Sequence, residues 1–76
     1  MQTVIIDREP VELYKILKFE GLAASGAEAK LIVSEGLVFV NAKVETRKRR
    51  KMYAGDVVSL GAHELQLELA NSGTTD

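Results

Sequence analysis

The sequence predicts an α+β fold in which a two-helix hairpin packs on a small, mainly antiparallel sheet. Three observations lead to it. The chain holds 76 residues and no cysteine, enough for one compact core and no disulfide staples. Two stretches with apolar residues at helical spacing are joined by only about four residues, which makes them packed neighbours. Beyond them, short β-branched or alternating runs are separated by turns rich in asparagine and glycine. Residues 1–70 are read as one domain, and the polar stretch 71–76 as a frayed tail.

Thr3 to Ile6 is a β-branched run and predicts a strand, which Asp7 to Pro10 interrupts. Pro10 suits the first position of a helix, where its missing N–H is no loss, and Glu9 and Glu12 place negative charge at the positive end of the helix dipole. Val11, Leu13, Ile16, Leu17 and Phe19 then recur at helical spacing until Gly21, while Lys15 and Lys18 share the solvent side. Ser25-Gly26-Ala27-Glu28 fits a capping box, so a second helix is expected through Ala27, Ala29, Leu31 and Ile32 to Gly36.

Leu37 to Val40 predicts a strand, Asn41-Ala42 a turn and Lys43 to Thr46 the return strand. A two-residue hairpin turn favours glycine after asparagine, so Ala42 predicts a looser one. Arg47 to Lys51 puts charge on both faces of an extended chain, which excludes a core strand and predicts exposure. Ala54-Gly55-Asp56 marks a turn, Val57 to Leu60 a strand and Gly61-Ala62 a second hairpin turn. From His63 the alternation sets Leu65, Leu67 and Leu69 against Glu64, Gln66 and Glu68, a half-buried strand.

Charge is unevenly distributed beneath a formal net charge of −1. Residues 1–14 carry Arg8 against Asp7, Glu9 and Glu12; residues 15–51 carry nine cations against four glutamates; residues 52–76 carry four carboxylates and neither Lys nor Arg. Residues 43–51 alone hold six cations and one glutamate, a pattern that suits a polyanionic partner. The absence of cysteine argues for an intracellular setting, and Asp7, Arg8 and Glu9 so near the start argue against a signal peptide. The longest unbroken apolar stretch, Leu37 to Val40, is far below the roughly 20 residues of a membrane helix.

The order of signals resembles a known family. Leu13-Tyr14-Lys15-Ile16-Leu17-Lys18 leads to Gly21-Leu22-Ala23-Ala24-Ser25, then to Glu28-Ala29-Lys30, Glu35-Gly36-Leu37-Val38-Phe39-Val40-Asn41 and Ala54-Gly55-Asp56-Val57-Val58. This resembles the S-four domain, the RNA-binding module named after small-subunit ribosomal protein four and built around an αL-type motif. The likeness runs from about Val11 to Leu60 and looks like a small stand-alone bacterial member. It implies a protein that docks structured RNA, often ribosomal. Two positions depart from the pattern: Gly26 stands where the family has an arginine implied to touch RNA, and Ala42 stands where it has glycine. Lys30, one turn further along the same helix side, is a substitute for the first.

Arg47, Arg49 and Arg50 offer guanidinium forks for phosphate, and Lys48 and Lys51 add compact ammonium charges. Together with Lys18, Lys30 and Lys43 they are expected to form one continuous positive ridge standing clear of the folded body. Asn41 would hold the turn that presents them. Ser25 and Gly26 open a helix whose free N–H groups suit a phosphate oxygen, although capping alone also explains Ser25. With so few aromatic residues a stacking platform is not expected, and recognition should follow RNA shape and phosphates. A single histidine and no cysteine provide no zinc ligand set, and no Gly-Lys-Ser, Gly-Lys-Thr or nucleophile-elbow motif occurs. The expectation is a cytoplasmic, monomeric, non-enzymatic binder of structured RNA, with ribosomal or transfer RNA as candidates and no cofactor, small-molecule substrate or membrane. The competing reading is an adaptor whose basic strip or sheet edge meets an acidic protein. DNA is a third partner that charge alone does not separate from RNA.

Overall fold

The computed structural model describes residues 1–70. The expected tail, 71–76, lies outside the described residues. The elements are β1 (Gln2–Ile6), β2 (Val11–Glu12), α1 (Leu13–Phe19), α2 (Gly26–Ser34), β3 (Val38–Val40), β4 (Lys43–Val44), β5 (Lys51–Met52), β6 (Val57–Leu60) and β7 (His63–Leu69). A five-stranded sheet has the order β1-β7-β6-β3-β4; β1 runs parallel to β7 and the other pairs are antiparallel. The two helices pack on one another and close the core against this sheet, the α+β arrangement expected.

The core follows from alternation and helical spacing together. Val4 and Ile6 of β1, Leu65 and Leu67 of β7, Val58 of β6 and Val38 and Val40 of β3 point inward, to meet Leu13, Ile16 and Leu17 of α1 and Ala29 and Val33 of α2. Leu69 is exposed, so the inward row of β7 ends one residue pair earlier than its alternation predicts, and His63 is exposed at the other end. The reverse face of the sheet is open and carries Ile5, Phe39, Val44, Glu64 and Glu68.

The end of α1 and the start of α2 follow their sequence signals. Ser25 Oγ accepts a hydrogen bond from Glu28 N at 3.1 Å and the Glu28 carboxylate accepts one from Ala24 N, so the capping box forms with its return bond one residue early. At the end of α1, Gly21 takes a φ of +75° and Leu22 N donates to Leu17 O, a left-handed helix stop.

Three further departures from the sequence expectations lie in the backbone path. Pro10 does not open a helix: Val11 and Glu12 form a two-residue strand against Met52 and Lys51, and α1 starts only at Leu13. The physical reason is a partner the periodicity does not show, the backbone of the basic segment. The Asn41-Ala42 turn is tight: Val40 pairs with Lys43 and both turn residues take positive φ, 52° and 71°, so Ala42 bears a left-handed backbone instead of loosening the loop. The return strand spans only Lys43 and Val44 and stops short of Thr46, although Glu45 N still donates to Val38 O at 2.9 Å and Glu45 faces inward, buried, as alternation opposite Val38 requires.

Candidate nucleic-acid interface

The basic run is a turn fastened to the first helix by its main chain. Arg50 N donates to Arg47 O at 3.2 Å, closing a four-residue turn. Two of the carbonyls of this run accept the N–H groups at the start of α1: Leu13 N donates to Arg50 O at 2.9 Å and Tyr14 N to Lys48 O at 3.1 Å. Glu12, the N-cap, makes no side-chain cap bond, so these carbonyls satisfy donors that a helix start otherwise leaves to water. The basic side chains are thereby held beside the helical hairpin.

Carboxylates then sort the cations into two groups. Glu45 is only 7% exposed and accepts from Arg47 through Nε and Nη2, from Arg47 N, and from Arg50 Nη1 at 2.8 Å. The Arg47 side-chain hydrogen bonds, helped by those of Arg50 and opposed by burial, lower the Glu45 carboxyl from 4.5 to about 2. The same contact raises the Arg47 guanidinium further. Arg50 Nε is buried without a partner. Arg49 reaches Glu12 with Nη1 alone, at 3.2 and 3.4 Å, and Lys15 touches the same carboxylate at 3.6 Å. Among the described residues Lys18, Lys30, Lys43, Lys48 and Lys51 make no ion pair. The expected ridge of free cations is therefore corrected: all three arginines of the run are engaged by carboxylates, and the lysines are not.

A third contact joins the second helix to this turn. Lys30 Nζ lies 4.7 Å from the centre of the Tyr14 ring and the Arg49 guanidinium carbon 5.3 Å from it. Gly26 adjoins the same ring, since a β-carbon there would stand 3.6 Å from Tyr14 Cε2. Arg47, Arg49, Arg50 and Lys51 line a cleft of about 470 Å3. A neighbouring hollow brings Asn41 and Lys43 to the other side of Arg47 and Arg50. Asn41 itself is held by Asp56 and Val57: its Nδ2 donates to Asp56 Oδ1 and its Oδ1 accepts from Val57 N. Lys48 is exposed on the turn. Ser25 spends its oxygen on its own helix cap. Lys18 stands apart, exposed near the far end of α1 and outside both hollows.

Three side chains that order the basic turn, Glu45, Tyr14 and Glu12, escaped the sequence reading. Glu45 and Arg47 are two apart in an extended chain and so share a face, a spacing that signals an ion pair. Tyr14 and Glu12 have no such signal, because their partners Lys30 and Arg49 come from distant segments.

Comparison with known proteins gives a consistent picture. Residues 4–68 match the family model described as the S4 domain. YbcJ of Escherichia coli (strain K12), whose name carries a provisional RNA-binding assignment, is 47% identical over 68 residues, covering 88% of this chain and 97% of that protein. RlbA of Bacillus subtilis (strain 168), provisionally assigned to ribosome maturation, is 40% identical over 57 residues, covering 75% of this chain and 80% of its own. The solution structure of Escherichia coli YbcJ, described as revealing an αL motif involved in RNA binding, superposes with a TM-score of 0.69 at 46% identity, over 90% of this chain and 87% of that one.

Proposed function

Because the chain belongs to the S4 domain family, we propose that it is a small RNA-binding protein that docks structured RNA on the surface shared by α1, α2 and the 43–51 segment. The observation that carries this reading is that the backbone of Lys48 and Lys51 is fastened beside the start of α1, while Lys30 and Arg49, from two separate parts of the chain, meet on the Tyr14 ring. Their charges are not cancelled as a set: among the described residues the three lysines lack a carboxylate, and Arg49 gives up a single nitrogen. Phosphates displace counterions from such a surface and gain charge-assisted hydrogen bonds. The provisional assignment of the Bacillus subtilis relative supports ribosomal RNA as the target, and RNA as partner supports a cytoplasmic setting.

The test uses Lys48→Ala with Lys51→Ala, two exposed residues without ion pairs. Arg50→Ala is a poorer probe because it strips a partner from buried Glu45. If about four phosphates are engaged, log affinity for a ribosomal RNA fragment should fall against log salt with a slope of roughly −3, and the double variant should lower that slope by about 1.4. Equal affinity of parent and variant at low salt would reject this surface. Purification with a stoichiometric protein partner in place of salt-elutable nucleic acid would favour the adaptor.

A further inference from the structure

Tyr14 is the point at which three elements meet. Its backbone N–H is bound by the Lys48 carbonyl in the basic turn, its ring edge adjoins Gly26 at the start of α2, and its ring faces two cations, Lys30 from α2 and Arg49 from the turn. The two ring distances together put these charges at most 10 Å apart. A ring and a carboxylate hold a cation in different ways. A carboxylate neutralises the charge and takes its N–H groups, as Glu45 does with Nε and Nη2 of Arg47. An aromatic face attracts the charge through its quadrupole and leaves the N–H groups free for another acceptor. Lys30 makes no ion pair among the described residues, and Arg49 commits only Nη1.

We propose that Tyr14 is a positioning residue that gathers Lys30 and Arg49 into one pair for neighbouring phosphates of an RNA strand. The proposal rests on the RNA-binding reading and deepens it. It ranks the cations: Lys30, on the ring and without a carboxylate among the described residues, comes first; Arg49, on the ring and bound to Glu12 through Nη1 alone, comes second; Arg47 and Arg50 shape the turn through Glu45. Gly26 stands beside the same ring, where a β-carbon would make an ordinary contact with its edge. The position that held an arginine in the expected pattern thus borders the ring on which Lys30 and Arg49 meet.

The experiment pairs Tyr14→Leu, which keeps an apolar contact, with Tyr14→Phe, which keeps the ring face. The probes are a fluorescein-labelled RNA hairpin and sodium tripolyphosphate. Tyr14→Leu should weaken hairpin binding about fivefold to tenfold at low salt, and Tyr14→Phe should restore parental affinity within about twofold. In a Lys30→Gln, Arg49→Gln background Tyr14→Leu should add little, since its effect passes through those two cations. An undiminished loss in that background would show a merely structural ring and overturn the proposal. Tripolyphosphate followed by NMR of the parent should shift the Lys30 and Arg49 side-chain signals before those of Arg47; no shift at Lys30 and Arg49 would also overturn it, whatever the folding of the variants. A parent that shows these shifts yet binds no hairpin would retain the phosphate pair and remove RNA as its ligand.

Discussion

Ala42 and Glu45 are the residues at which local energetics are most exposed to test. Ala42 holds a φ of 71° where an L-residue meets steric cost and glycine does not. Ala42→Gly should therefore stabilise the fold by about 0.5–1 kcal/mol, against the opposing entropy of glycine in the unfolded chain, and a thermal melt reads the gain as a higher Tm. Glu45 is buried and accepts from two guanidinium groups, so Glu45→Gln should cost about 1–3 kcal/mol in urea unfolding. Its carboxyl is depressed in the fold, from 4.5 to about 2. The charged form is the stabilising one, so the contribution is complete above pH 4.5 and is lost as pH falls towards 2. That contribution is on the order of 3 kcal/mol, and the stability of Glu45→Gln should be flatter over the same pH interval.

Among the elements, α1 is the one whose start the local chain does not provide. A seven-residue helix is too short to hold itself, and its N-cap side chain bonds nothing. The carbonyls of Lys48 and Arg50, with the β2–β5 pairing, take over that role. Hydrogen exchange should accordingly find the amides of Leu13 and Tyr14 protected to the level of the helix interior, in contrast to the usual rapid exchange of a first helical turn. Exchange of these two amides at the rate of an open helix end would contradict the capping. The second helix differs because its cap is local: Ser25→Ala should cost about 1 kcal/mol without disturbing the basic turn.

At the scale of the molecule, charge is separated by the sheet. The helical side and the 43–51 segment carry the cations, while the open face carries Glu64 and Glu68 and no strand among β1, β6 and β7 contains Lys or Arg. A sheet and its packed layer are separated by about 10 Å, beyond the Debye length of about 8 Å at physiological salt. Local charge should then govern binding more than net charge does. Glu64→Lys with Glu68→Lys changes the protein from acidic to basic, yet it should alter RNA affinity less than about twofold at physiological salt, far less than the loss of Lys48 and Lys51. Filter binding of the two double variants side by side makes the comparison.

Spacing along the sequence was enough for the fold class, the presence of both helices, the capping box, the two hairpins and the exposure of Arg47, Lys48, Arg49 and Lys51, though not of Arg50. Each of these is written in spacing within a few residues: alternation, helical period, or a turn residue at a fixed offset. The tertiary structure alone decided where α1 begins, which cations keep their hydrogen bonds free, and that Tyr14 draws Lys30 and Arg49 together. Those outcomes depend on partners far apart along the chain, as with Arg49 and Glu12 at a separation of 37 residues. Periodicity says which face a side chain occupies, whereas only the folded path says what stands opposite it.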